Sequence, residues 1–181
     1  FKNITSYNNG EYQFDNGGMK RAANLLKPYG IKISAAADYM PDELIGEYSQ
    51  YIPDDLNKSY SFWKQAAKAF DGAVDNWEIF NEVDHGGAVS SSDSPDLYSS
   101  FMKASAVGIA DAQTANKTTA SVQGAAARMN EESEYLNVLM MNDALDYSVC
   151  DNTHEHTSAE NNEEKYYPFS GIDNIKAHIS A

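Results

Sequence analysis

The chain has 181 residues, 42% hydrophobic and 22% charged, enough for one domain with a buried core and ordinary for a soluble globular fold. Its formal net charge of -14 disfavours nucleic acid and anionic membrane surfaces as partners, and no apolar run is long enough to span a bilayer. The single cysteine, Cys150, excludes an internal disulfide.

Residues 15–29 read as a helix, with Met19, Ala22, Ala23 and Leu26 on one stripe, ended by Pro28 and Gly30. Ile31-Lys-Ile-Ser-Ala-Ala36 reads as a strand, and a loop with Pro41 and Pro53 comes after it. Residues 59–73 form a second helix with Phe62, Ala66, Ala69 and Phe70 inward, and 76–81 the next strand. Ser94-Pro95 opens a third helix, the serine as cap and the proline at the first position, with a buried stripe of Leu97, Phe101, Ala104 and Gly108. A strand over 118–123, a helix over 131–141 with apolar Leu136, Leu139 and Met140, and a strand over 146–151 come next. Ser170-Gly-Ile-Asp173 opens a last helix.

Strands alternating with helices argue for an α/β fold on a parallel sheet, which needs both faces covered. An open doubly wound sheet and a (β/α)8 barrel both satisfy this. No Gly-rich phosphate loop follows any strand, which weakens the nucleotide-binding form of the open sheet. A complete barrel takes about 250 residues, so four strands are about half of one. The residues alone leave both architectures open. The chain begins at Phe1 rather than Met, which reads as processing or as a piece of something longer. Three N-glycosylation patterns, at Asn3, Asn57 and Asn116, and an abundance of Asn, Ser and Tyr suit a secreted or extracellular protein.

The segment Trp77-Glu-Ile-Phe-Asn-Glu-Val-Asp84 sets a carboxylate beside an amide where a strand should stop. Strand ends are where an α/β scaffold presents chemistry, and a carboxyl there serves as proton donor, base or nucleophile. At strand period, Glu78, Phe80 and Glu82 share one face, while Trp77, Ile79 and Asn81 share the face that packs on helices. Glu78 then points into the floor beneath Glu82, and Lys32 on the preceding strand is its expected interior ion-pair partner. From spacing alone, a solvated loop carboxylate fits Glu82 equally well, and Asn81 could simply cap the turn at Asp84-His-Gly-Gly.

His154 and His156, two apart, face one way on a strand. They line a polar pocket, lie exposed in the acidic loop near Glu160, or bind zinc with a third ligand such as His85. Of these, pocket lining is the reading adopted, with no metal. Tyr39, Tyr48, Tyr51, Tyr60, Phe62 and Trp63 surround the loop after the first strand. Sugar rings stack on aromatic faces, and Tyr39 is the best subsite candidate, whereas Phe62 reads as core. Cys150 reads as an inert buried thiol.

Trp77-Glu-Ile-Phe-Asn-Glu82 resembles the fourth-strand motif of the retaining (β/α)8 glycoside hydrolases, the superfamily with two catalytic glutamates, in its family 39 or family-5-like branch. Gly10-Glu-Tyr-Gln-Phe-Asp15, followed by a helix and then Tyr29-Gly-Ile-Lys-Ile33, looks like that family's second helix and third strand, and Met40-Pro-Asp-Glu-Leu44 like its next loop. Ser94-Pro-Asp-Leu-Tyr98 and Val122-Gln-Gly124 look like helix four and strand five, and 146–157 like strand six. Strand two is at most its end near Phe1-Lys-Asn-Ile4, so the resemblance implies a single incomplete TIM-barrel catalytic domain over 1–181, about strands three to six with their helices. The resemblance implies Glu82 as general acid/base, Asn81 as donor to the substrate 2-hydroxyl, and one of His154 and His156 at the strand-six position. Phe80 stands where Trp is commoner, and Val83 where Pro is usual, a change expected to loosen the loop.

The resemblance further implies retaining hydrolysis of a β-linked glycoside or polysaccharide, without a cofactor. The superfamily's nucleophile lies on strand seven, so it is expected outside this chain, leaving the isolated chain inactive. Two open strand edges would be covered by the missing half of the barrel or by a second chain. Two alternatives remain: a catalytically inactive carbohydrate-binding or assembly module, and a metal-dependent hydrolase built on His85, His154 and His156.

Overall fold

Asn9 and Gly10 both carry left-handed backbone angles, φ +50° and +87°. Two such residues in succession make the type I′ turn, whose twist matches that of the strands it joins. They connect β1 (Ile4–Asn8) to β2 (Glu11–Phe14), with Tyr7 level with Tyr12 and Asn8 with Glu11. The computed structural model describes residues 3–37, 40–45, 52–80, 83, 94–116, 121–123 and 134–149, and is mixed α/β. The hairpin is a correction to the N-terminal reading: Ile4 opens an antiparallel ribbon, not the end of a strand in the parallel sheet.

Helix α1 (Gly17–Leu26) follows the hairpin and runs into a 3-10 turn at Lys27–Tyr29, closed by Gly30 at φ +71°. Its stripe is as expected, with Ala23 buried and Met19, Ala22 and Leu26 half-buried. Strand β3 (Ser34–Ala37) comes next, then a 3-10 turn at Asp42–Leu44 and helix α2 (Leu56–Ala69). Helix α2 starts three residues before its expected position because the Asp55 side chain accepts from Asn57 N at 2.9 Å and Lys58 N at 3.3 Å. Strand β4 (Asn76–Ile79), helix α3 (Pro95–Asn116), strand β5 (Ser121–Gln123) and helix α4 (Glu134–Met141) complete the described elements.

β3, β4 and β5 form a parallel sheet in sequence order, with Ala36 level with Glu78 and Glu78 level with Gln123. Asp75 fixes where β3 and β4 begin: its carboxylate accepts from Ile33 N at 2.9 Å and its own N–H donates to Ile33 O at 2.8 Å. Trp77 and Ile79 are buried on the helix side, as the alternation predicts. Trp77 packs edge-on against Trp63 and Phe70, with ring centroids 5.6 and 5.7 Å apart. Trp63 is thus a core residue, as is Phe62, which meets Tyr12 of the hairpin at 5.1 Å. Gln65 pins that hairpin to α2, accepting from Tyr12 N at 2.9 Å and donating to Gly10 O at 2.8 Å.

Ser94 caps α3 as expected, its hydroxyl accepting from Leu97 N at 3.2 Å, with Pro95 as the first helical residue. Helices α2 and α3 pack along one another at Gly108, where an added Cβ would strike the Tyr60 carbonyl and lie 3.2 Å from Lys64 N. Beside this crossing the Tyr60 hydroxyl donates to Asp111, and Lys64 donates to that hydroxyl at 2.8 Å. Among the described residues no helix is long and apolar enough to cross a membrane.

Two further expectations change. The strand read from residue 146 onward is instead a 3-10 turn at Leu145–Tyr147, with Ser148 extended after it. Asp143 at φ +52° ends α4, and the Ser148 hydroxyl closes the turn on Leu145 O at 3.0 Å. In α4, Leu139 is buried but Met140 is exposed.

Candidate functional site

The sheet face away from the helices is small and polar. Ser34 and Ala36 on β3 are exposed, and Asn76 and Glu78 on β4 are half-buried. Lys32 does not join them in an interior ion pair. It is exposed, and it precedes β3. The level pairing of Ala36 with Glu78 leaves Lys32 four residues back, about 13 Å along the strand direction at the usual rise.

The end of β4 departs from a regular strand. Phe80 has φ +71°, a left-handed conformation that is costly for a residue with a bulky side chain. The period-two alternation therefore stops at Ile79. Phe80 was expected on the face of Glu78; instead its ring is buried against Phe101 of α3, edge-on, with centroids 5.5 Å apart. The Tyr98 hydroxyl, also on α3, donates to Ile79 O at 2.7 Å. Val83, three residues beyond Phe80, is buried in the same core and is an anchor rather than a source of slack.

Residues 81 and 82 thus lie in sequence between two core anchors. Positions 38 and 39 are bracketed similarly, by buried Ala37 and Met40. Since Ala37 is level with Ile79, Tyr39 and Asn81 each come two residues after that level. Asn81, Glu82, Tyr39, His154 and His156, with His85, Tyr48, Tyr51 and Cys150, lie outside the described residues. The sequence reading missed Tyr98 and Phe101 as supports for the strand end. Tyr98 lies one residue off the expected stripe of Leu97, Phe101, Ala104 and Gly108, and only its full burial marks a hydroxyl that needs a partner.

The described electrostatics lie elsewhere. Burial pushes the Tyr12 phenol up, helped by Tyr7 and by Glu43. Among the described residues no group of His, Cys, Asp or Glu could hold a metal ion. Compared with known proteins, the chain matches no family model and no curated sequence.

Proposed function

We propose that this chain carries the acid/base side of a retaining β-glycosidase site, built on a partial (β/α)8 barrel. The supporting observation is the end of β4: a left-handed, buried Phe80 stands directly before Asn81-Glu82, with buried Val83 after them. Strained backbone of this kind persists where the surroundings over-determine it, and it clusters at functional sites. The winding agrees with a barrel. Successive strands are neighbours and α2 and α3 pack together, a winding shared by part of a barrel and by one half of a doubly wound sheet.

In this reading Glu82 protonates the leaving oxygen and later draws a proton from water, while Asn81 donates to the 2-hydroxyl. Tyr39 offers a stacking face to a sugar, and His154 or His156 lines the site. A second carboxyl about 5–5.5 Å from Glu82 supplies the nucleophile from a further strand. β3 and β5 each pair only with β4 among the described residues, and Leu25 and Tyr29, which precede β3 in the chain, are 67% and 80% exposed. The remainder of the barrel, or a second chain, would cover those edges.

The test is Glu82→Gln in the full-length polypeptide. A loss of about 10²–10⁴ in kcat on glycosides with poor leaving groups supports the assignment. Unchanged turnover, or sugar binding with no hydrolysis by the unaltered protein, removes it.

A further inference from the structure

We infer that Tyr98 and Phe101 form a positioning pair that fixes the end of β4 from which Asn81 and Glu82 follow in the chain, an inference that rests on the acid/base reading of Glu82. Both residues are on α3, and both are fully buried. Neither confines its contacts to its own helix. Ser99 and Ser105, the neighbouring buried hydroxyls, bond back to Pro95 O and Phe101 O, each at 2.7 Å. Those bonds stay within α3, whereas the Tyr98 hydroxyl leaves it to reach Ile79 O at 2.7 Å, the last carbonyl of β4.

One residue later the backbone turns left-handed at Phe80, and the Phe80 ring is held edge-on to Phe101 at 5.5 Å and 84°. A phenylalanine does not hold φ +71° unaided, so its neighbours must impose it. The hydrogen bond fixes the position of the strand end, and the ring contact fixes the rotation of the next residue. Val83 is the following anchor. Glu82 is therefore two covalent steps from a residue whose conformation α3 dictates. A proton donor displaced by 1 Å loses much of its effect, while substrates whose leaving groups need no proton are spared.

The experiment uses the full-length polypeptide with phenyl and 2,4-dinitrophenyl β-glucosides, β-xylosides and β-mannosides. Tyr98→Phe keeps the ring and deletes only the hydroxyl; Phe101→Leu keeps the hydroxyl bond and deletes the ring. Each is expected to lower kcat on the phenyl glycoside about tenfold, to leave the dinitrophenyl glycoside within about twofold, and to shift the alkaline limb of the pH profile. Equal losses on both leaving groups, or none on either, with an unmoved pH profile, overturn the positioning role. Glu82→Gln, run beside them, separates the two readings. If it abolishes phenyl glycoside hydrolysis while the α3 variants leave the leaving-group dependence intact, positioning alone fails. If it has no effect, the acid/base reading fails and the positioning role falls with it.

Discussion

The Tyr98 hydroxyl and the Ile79 carbonyl, 2.7 Å apart and buried, tie the first turn of α3 to the last residue of β4. The loop between them spans the residues on which the proposed chemistry depends. Helix and strand are thereby locked at the one end of the sheet where Asn81 and Glu82 come next in the chain, and the left-handed Phe80 is part of the same lock.

Phe80 reverses a general rule of substitution. In ordinary strand backbone, glycine is less stable than alanine by roughly 0.5–1 kcal/mol because it loses more entropy. At φ +71° alanine bears the left-handed cost of about 1 kcal/mol and glycine does not. Both variants lose the ring and are expected to be destabilised by about 3–5 kcal/mol. The Phe80→Gly variant should be the more stable of the two by about 1 kcal/mol in urea titrations. Alanine proving the more stable would show that this backbone is not left-handed.

Gly108 is a second position where size decides. Alanine favours a helix over glycine by about 1 kcal/mol, yet here its Cβ would meet the Tyr60 carbonyl. Gly108→Ala is therefore expected to destabilise the chain by about 1–3 kcal/mol through separation of α2 and α3. Val107→Ala, next to it but exposed, should fall within about 0.5 kcal/mol of the parent. Thermal unfolding of both variants checks this, and a neutral or stabilising Gly108→Ala would show that the two helices do not cross closely there.

The Tyr60, Lys64 and Asp111 cluster sets a pH dependence with a definite sign. The hydrogen bond from Tyr60, and then the Lys64 charge, hold the Asp111 carboxyl below its ordinary 3.8. The hydrogen bond to Tyr60, and after it the Tyr60 and then the Asp111 charge, raise Lys64 above its ordinary 10.5. A lowered carboxyl contributes stability above 3.8 that is lost as pH falls through the folded value beneath it. A raised ammonium contributes stability below 10.5 that is lost as pH rises through the folded value above it. Asp111→Asn should therefore lower the urea midpoint slightly at neutral pH. The difference should shrink in salt and vanish below the folded pKa of Asp111, because the pair is exposed. A difference that does not shrink as pH falls below 3.8 would assign it to something other than this charge.

Much of the sheet and its helices was legible because period and caps were unambiguous. Met19, Ala22, Ala23 and Leu26 mark the inner side of α1, Trp77 and Ile79 face the helices, and Ser94-Pro95 starts α3. The hairpin was legible in principle, since Asn9-Gly10 between alternating segments is the strongest short-range hairpin signal, but the resemblance reads the strand ending near Ile4 only as the edge of the parallel sheet. Asp55 is a cap that the apolar period does not mark, which displaced the start of α2. The face of Phe80 could not be read from alternation, because a left-handed residue breaks the period that such reading assumes. Lys32 failed as a partner for Glu78 because register, unlike periodicity, depends on where Asp75 locks the two strands. Of the candidate site, only its supports are described: Ile79, Phe80, Val83, Tyr98 and Phe101.

The most direct measurement of the central claim is chemical rescue of Glu82→Ala in the full-length polypeptide with 2,4-dinitrophenyl β-glycosides. Removing an acid/base carboxyl leaves formation of the glycosyl-enzyme intact for such a leaving group but deprives water of its base. Azide needs no base, so added azide should restore turnover and yield a β-glycosyl azide with retained configuration. Azide that neither accelerates turnover nor appears in the product, with Glu82→Ala otherwise as active as the parent, would contradict the assignment.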